Sequence, residues 1–153
     1  MNATAARRPT NAQLHGQSRT VLVGVVGFAA VELALAVFMA AAPRAFYTAI
    51  GPFGARNDHF VRDLATYNAA LGVGLVISIR HVSWRAPMLA ILTVQFALHS
   101  INHLIDISNA DPVWIGYFDF FALAAATMQL AGLTWLAMER ARTSPTNAKG
   151  GPR

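Results

Sequence analysis

The sequence predicts an all-α integral membrane protein, a four-helix bundle with a disordered polar tail at each end. The 153-residue chain is 55% hydrophobic and only 12% charged, whereas a soluble domain is about 25% charged. Its apolar residues form runs of about 18 or more with few charges, long enough to cross a bilayer as helices. The net charge is +5, but the arginines lie at the ends of these runs and in the tails. We therefore expect a lipid bilayer, and no nucleic acid, as the partner.

The N-terminal part divides into a polar tail and the first span. Residues 1–19 are rich in Asn, Thr, Gln and Arg without an apolar period, which predicts a disordered cytoplasmic tail. The first span covers residues 20–42 and stops at Pro43, which cannot continue a helix cheaply. Glu32 lies near its middle, where inserting an ionisable group costs about 2.5–3.5 kcal/mol. It should therefore face the bundle and have a partner, as either a structural or a functional group.

A loop and the second span come next. Residues 43–58 have an apolar side but are broken by Gly51, Pro52 and Gly54, which favours a short interfacial or re-entrant segment. The second span covers residues 59–79. Its first turns place several polar side chains at helical spacing on one face. These are His59, Arg62, Asp63 and Thr66.

The last two spans complete the predicted bundle. A tight turn over residues 80–87 leads into the third span, residues 88–107. Residues 109–112, NADP, signal another turn. The fourth span covers residues 113–138, with tryptophans near both interfaces as aromatic belts predict. Residues 139–153 are polar and contain Pro and Gly, which predicts a second disordered cytoplasmic tail.

Small residues recur along the first two spans and predict close helix packing. Gly24 and Gly27 lie in the first span, and Gly72 and Gly74 lie in the second. Such faces let two helix backbones approach each other, either within one chain or between chains. They are therefore candidate contacts for a homo- or hetero-oligomer as well as for the bundle itself.

The third span carries a polar stripe on an otherwise apolar helix. The stripe comprises Gln95, His99, Asn102, His103 and Asp106. Their spacings of four, three, one and three residues place all five within roughly a quarter turn, at about 100° per residue. The stripe can therefore face one site, where it would bind metal, protons or hydrogen-bond partners.

The distribution of Lys and Arg predicts an orientation in the plasma membrane. Basic residues are more numerous in the two tails and the turn at residues 80–87 than in the other loops, so both termini should be cytoplasmic. Polar groups from three spans and two loops then meet at the extracytoplasmic end. These groups are Asp58, His59, Asp63, His99, His103, Asp106, Asp111 and Asp119. Their common depth predicts a shared polar site that opens toward the outer leaflet.

One interpretation of this cluster is a metal site. His99 and His103 are one helical turn apart and can direct two imidazoles at one ion. Zinc or non-haem iron would suit nitrogen and oxygen ligands, and the absence of cysteine excludes thiolates. In its simplest form the ligand set is His99, His103, Asp63 and Asp106. Further candidates for ligation, or for orienting a ligand, are Asp119, His59, Asn102 and Gln95.

Three other interpretations stay open. The same groups would fix the polar end of a small amphipathic ligand, such as a lipid or quinone, in a pocket between helices. An enzyme that uses a histidine and a carboxylate as an acid–base pair would be a special case. Alternatively, the groups form a structural network that only fixes helix packing. A proton relay that continues through Glu32 toward the cytoplasm is the fourth interpretation.

The beginning of the second span resembles a known family. Residues 62–72, RDLATYNAALG, are similar to the second helix of DoxX-like small membrane proteins, where an arginine precedes small residues, an aromatic and an Ala-Leu-Gly step. The loop at residues 43–57 and the four-span layout of residues 21–138 fit that family, although Ala65 and Thr66 stand where its members usually have glycine. The resemblance implies a four-helix bundle and, for some members, an accessory role in quinone-coupled oxidation. It implies no role for the third-span histidines.

Overall fold

The structure is a computed structural model that describes residues 11–143, without the side chains of residues 11–15 and 17. In this part of the chain the regular elements are all helical. The α-helices are α1 (Asn11–Ala41), α2 (Pro43–Ala49), α3 (Asp58–Arg80), α4 (Arg85–Asp106) and α5 (Val113–Thr143). Four of the described helices are long and apolar enough to cross a membrane. The predicted all-α class with four candidate spans is confirmed at this level.

Both predicted tails are shorter than expected within the described residues. Residues 11–19 were expected in the disordered tail but belong to α1, because no proline interrupts the helix and extending an existing helix is far easier than starting one. At the other end, α5 continues to Thr143, past the predicted end of the span at residue 138. Residues 1–10 and 144–153 lie outside the described residues.

The interhelical segments also differ in detail from the prediction. The first loop contains α2, which begins with Pro43 as its first residue, a position where the missing N–H of proline costs nothing. The helix α4 begins at Arg85 rather than at residue 88. Pro87 lies in the first turn of that helix, where its N–H would have no intrahelical partner in any case.

The four long helices form two antiparallel pairs. Within the first pair, α1 packs closely on α3, and a Cβ added at Gly72 would come within 2.7 Å of Leu33. Within the second pair, α4 packs closely on α5, and the hydroxyls of Thr93 and Thr134 are 2.9 Å apart. Fewer contacts join the two pairs to each other. The interface between the pair α1 and α3 and the pair α4 and α5, called the seam below, is therefore the least tightly packed part of the bundle.

The main hydrophobic core lies toward one end of the bundle. All four long helices contribute to it, with Val25 from α1, Leu75 from α3, Leu92 from α4 and Leu130 from α5, each fully buried. The second buried cluster, Met39 with Val61 and Ala65, belongs to α1 and α3 alone. At that other end, α1 and α3 are packed together without a buried core that joins them to α4 and α5.

A cap segment, residues 50–57, covers the end of the bundle where α4 stops and α5 starts. Asn57 closes the segment by accepting hydrogen bonds from the N–H groups of His59 and Phe60, both at 3.1 Å, as an N-cap residue does. Phe53 forms an isolated antiparallel bridge with Ala110. These contacts hold the cap segment over the end of α4.

Candidate functional site

A cavity of about 1,100 Å³ lies in the seam between the two helix pairs. Its walls come mainly from α1 and α5, with contributions from α4, the beginning of α3 and the cap segment. Most lining side chains are apolar. Several of them, including Val23, Val31 and Gly132, are also exposed on the outer surface of the bundle. The cavity therefore opens sideways between α1 and α5, and is not a closed internal void.

The ionisable groups of the cavity are gathered toward one end. His99 and His103 line it from α4, and Asp119 lines it from α5. Gln95 also lines the cavity, but it is level with Gly132 of α5, because Thr93 pairs with Thr134 and Ser100 with Thr127. The opposite end, around Gly24 and Leu133, is mainly apolar. The site thus has the form expected for an amphipathic molecule, with a long apolar wall and a few convergent polar groups.

Glu32 belongs to the same polar end. Its side chain is only 1% exposed, and it lines the cavity from α1. The rings of Phe28 and Phe96 meet edge to face at 5.9 Å, and α1 and α4 run in the same direction. Glu32 is one turn beyond Phe28, so it lies at about the depth of residue 100, between the two histidines. The sequence expectation placed Glu32 deeper than the cluster, and in the structure Glu32 is farther from the cap segment than His103 and about level with His99.

Part of the hydrogen-bonding capacity of this polar end is left unused. The buried polar atoms without a hydrogen-bond partner among the described residues include Glu32 Oε2, His103 Nδ1 and Asp119 Oδ2 at this end, and Gln95 Oε1 farther along the cavity. Buried polar groups in folded proteins nearly always have partners. All four of these atoms belong to residues that line one cavity. An occupant of the cavity is the natural source of the missing partners.

His103 and Asp119 form the closest polar pair in the site. Nδ1 of His103 is 3.9 Å from Oδ2 of Asp119, and the two side chains are 15% and 13% exposed. This separation is too long for a hydrogen bond. The His103 ring packs edge to face against Phe53 of the cap segment and against His99, with ring centroids 4.7 Å apart in both cases. The imidazole is thus held in place by rings, while its Nδ1 remains available.

The structure brings together only part of the predicted site. Gln95, His99, His103, Asp119 and Glu32 line the cavity. Asn102 is exposed, because it stands at the edge of the stripe, about 20° beyond Gln95 on the helix circumference. Asp106 lies where α4 ends and accepts a hydrogen bond from the side chain of Asn109 at 2.8 Å.

The predicted contribution of α3 does not reach the cavity. His59 and Asp63 are 82% and 64% exposed and pair with each other, with His59 Nε2 3.4 Å from Asp63 Oδ2. Arg62 is exposed as well. The three side chains share a helix face, as their spacing predicted, but that face points away from the seam. The reason is that α3 packs mainly on α1.

The predicted metal ligands are not assembled. Among the described residues there is no group of three or more His, Asp or Glu side chains placed to hold a metal ion. His99 and His103 are close to each other, but Asp63 is paired elsewhere on α3 and Asp106 is bound to Asn109. The geometry gives less support to a metal centre than to a pocket for an organic ligand.

Some site residues were not identified from the sequence. Asn68 of α3 is buried and lines the cavity, and its amide donates a hydrogen bond to the sulfur of Met39, at 3.9 Å. An amide in the middle of an apolar span is a signal that would have identified it. Phe53 and Tyr47, from the cap segment and α2, also line the cavity. Their positions in the cavity depend on how the loop folds back over the bundle. No local sequence pattern reveals that arrangement.

Comparison with known proteins adds no identification. No protein-family model, curated protein or solved structure matches this chain. The resemblance of residues 62–72 to DoxX-like proteins therefore stays a prediction. The class that follows from the fold is a helical protein whose described part contains four helices able to span a membrane.

Proposed function

We propose that this protein binds a small amphipathic molecule, of the lipid or quinone type, in the cavity between its helix pairs. The polar head would lie among His99, His103, Asp119 and Glu32, and the apolar tail would follow the seam between α1 and α5. One observation carries the proposal: three buried polar atoms without partners, from Glu32, His103 and Asp119, belong to residues at the same end of a long, largely apolar cavity.

The dimensions of the cavity suit a long-chain ligand. Its lining along α5 extends from Asp119 to Leu136, which corresponds to about 25 Å at the rise of an α-helix. Its volume of about 1,100 Å³ is slightly above the range of about 300–1,000 Å³ for small-molecule pockets. A molecule with a polar head and a single extended chain would fill such a space, whereas a compact polar metabolite would leave most of the apolar wall uncovered.

The position of the opening supports entry from the bilayer. The cavity is exposed along the seam at Val23, Val31 and Gly132, on the long apolar surfaces that would face lipid. With both termini in the cytoplasm of a plasma-membrane protein, the polar end would lie in the outer leaflet. A lipid-soluble ligand would then enter sideways without crossing water.

A purely structural network explains the site less well. Such a network stabilises helix packing only when its members bond one another, as Thr93 and Thr134 do between α4 and α5. The polar atoms of His103 and Asp119 are close but unbonded. An accessory role in quinone-coupled oxidation, which the DoxX-like resemblance implies, is compatible with ligand binding and would use the same cavity.

The proposal is tested by filling the cavity. Gly132 lines it, and a Cβ at this position would meet no atom within 4 Å, so Gly132→Leu adds an isobutyl group at the seam from a position where the first added carbon has free space. The neighbouring Ala131 is exposed and is not part of the cavity wall, which makes Ala131→Leu the matched control. Wild-type and variant proteins would be purified in mild detergent, extracted with organic solvent and compared by mass spectrometry.

We expect a stoichiometric amphipathic molecule in extracts of the wild type and of Ala131→Leu, and its loss from Gly132→Leu. An equal amount in all three proteins would contradict binding in the cavity, because bulk lipid on the outer surface does not depend on Gly132. A wild type without any enriched molecule, and with a melting temperature unchanged by added long-chain amphiphiles, would refute the proposal.

A further inference from the structure

We infer that the ligand carries a hydroxyl or primary amine head, a group that donates hydrogen bonds and bears no negative charge. The inference rests on the proposed function, because it concerns the occupant of the same cavity. Within the proposed class it selects lipids with such a head and the reduced, hydroxyl-bearing form of a quinone, and it excludes fatty acids and lipids whose head at this point is a carboxylate or phosphate. The evidence is the set of polar atoms that the folded chain leaves unpaired at the polar end.

Two of the three unpaired atoms at the polar end are carboxyl oxygens, Oε2 of Glu32 and Oδ2 of Asp119, which accept hydrogen bonds when ionised. Neither atom has a partner among the described residues, and the Glu32 side chain is only 1% exposed. A head that donates hydrogen bonds would satisfy them, and a head with acceptors alone would not.

The separation of His103 and Asp119 suits one bridging atom. Nδ1 and Oδ2 are 3.9 Å apart. If an oxygen or nitrogen atom lay at a normal hydrogen-bond distance of about 2.8 Å from each, the angle between the directions to Nδ1 and Oδ2 would be roughly 90°. A tetrahedral hydroxyl or amine accommodates this angle. A single such group would therefore satisfy both atoms. A quaternary ammonium group has no N–H to offer and would satisfy neither.

The charge of the wall argues against an anionic head. The residues described around the cavity include no Lys or Arg, and they include the carboxyl groups of Glu32 and Asp119. A buried anion requires a cation or several N–H donors nearby. A phosphate or carboxylate head would instead meet two carboxyl groups. A neutral alcohol or a protonated amine would not be repelled by these carboxyl groups.

The test compares four probes that share a sixteen-carbon chain and differ only in the head. They are hexadecan-1-ol, hexadecylamine, hexadecanoate and hexadecyltrimethylammonium, each titrated at equal mole fraction into detergent-solubilised full-length protein while the melting temperature is followed. We expect the alcohol, the amine or both to bind at least about tenfold more tightly than the acid and the quaternary ammonium, as one or two hydrogen bonds to charged groups imply.

A substitution then distinguishes the two head groups. Asp119→Asn keeps an acceptor oxygen but removes the charge, so an amine ligand would lose about tenfold in affinity and an alcohol would lose little. Asp63→Asn is the matched control, because Asp63 is exposed and outside the cavity. The preference of the wild-type protein for donor heads should persist in this control.

Each outcome has a defined meaning. Donor heads preferred over the acid and the quaternary ammonium, in the wild type and in Asp63→Asn, support the inference, and a loss of amine binding in Asp119→Asn identifies the head as an amine. Equal binding of all four probes, or preference for hexadecanoate, overturns the inference about the head while binding in the cavity still stands. Failure of every probe to bind, with no effect of Gly132→Leu on extracted lipid, overturns the inference and the proposed function together.

Discussion

Nδ1 of His103 and Oδ2 of Asp119 face each other across 3.9 Å, and neither atom has a hydrogen-bond partner among the described residues. A buried polar atom without a partner costs about 1–3 kcal/mol of stability. A chain that only needed tight packing at this position would be more stable with apolar side chains. The pair is therefore better explained by a ligand that it binds than by a contribution to the stability of the ligand-free fold.

This relationship predicts opposite effects of Asp119→Leu on stability and on binding. Without ligand, the apolar side chain removes an unpaired buried carboxyl group, so we expect the free energy of unfolding to rise by about 1–3 kcal/mol. Binding of the alcohol or amine probe should be lost. Thermal unfolding in delipidated detergent and the probe titration measure the two effects.

The same substitution at Asp63 is the control for that prediction. Asp63 is 64% exposed, and a surface substitution of this kind typically changes stability by less than about 0.5 kcal/mol. If Asp119→Leu destabilised the ligand-free protein by several kcal/mol, the carboxyl group would belong to a structural network, and the ligand-binding interpretation would lose its main support.

Gly72→Ala should destabilise the contact between α1 and α3. The added Cβ would lie 2.7 Å from Cγ of Leu33 and 3.3 Å from Cβ of Glu32, so the Leu33 side chain or the two helices would have to shift. We expect a loss of about 1–3 kcal/mol, as is typical of overpacked interiors. The measurement is the melting temperature of the variant in detergent.

Gly27→Ala serves as the comparison, because a Cβ there meets no atom within 4 Å. Replacing a helical glycine by alanine is favourable by up to about 1 kcal/mol when no clash follows. Gly27→Ala should therefore be neutral or stabilising. Equal melting temperatures for the two variants would show that α1 and α3 do not approach each other as closely as described.

Arg85→Met should weaken the junction between α3 and α4. The buried guanidinium group donates hydrogen bonds to the carbonyl oxygens of Ser78 at 3.0 Å and Ile79 at 2.9 Å, near the C-terminal end of α3, where carbonyls lack intrahelical partners. Leaving them unpaired should cost about 2–3 kcal/mol. Arg80→Met, at an exposed position, should stay within about 0.5 kcal/mol of the wild type.

Cysteine labelling will test the predicted orientation. The chain has no cysteine, so Ser83→Cys and Ser108→Cys each provide one thiol, and both positions are exposed in turns at opposite ends of the bundle. With both termini in the cytoplasm, a membrane-impermeant maleimide should label Ser108→Cys in intact cells. It should label Ser83→Cys only after permeabilisation, and the reverse pattern would place the polar end in the inner leaflet.

The sequence by itself determined the properties that depend on one helix at a time. Hydropathy over a run of residues indicates a span, and the end of the first helix before Pro43 follows from the chemistry of proline. The spacing of Gln95, His99 and His103 correctly indicated a shared face of α4, and in the structure that face lines the cavity. These are local patterns, which need no knowledge of the neighbouring helices.

Only the tertiary structure decided which polar groups meet. Asp63 and Asp106 were expected beside the histidines, but Asp63 pairs with His59 on an exposed face and Asp106 binds Asn109. Glu32 and Asp119 line the cavity instead, and Phe53 reaches His103 through the folded cap segment. The physical reason is that spacing gives the direction of a side chain around its own helix. How each helix is rotated against its neighbours, and how far the two pairs separate, depends on the packing of the whole chain.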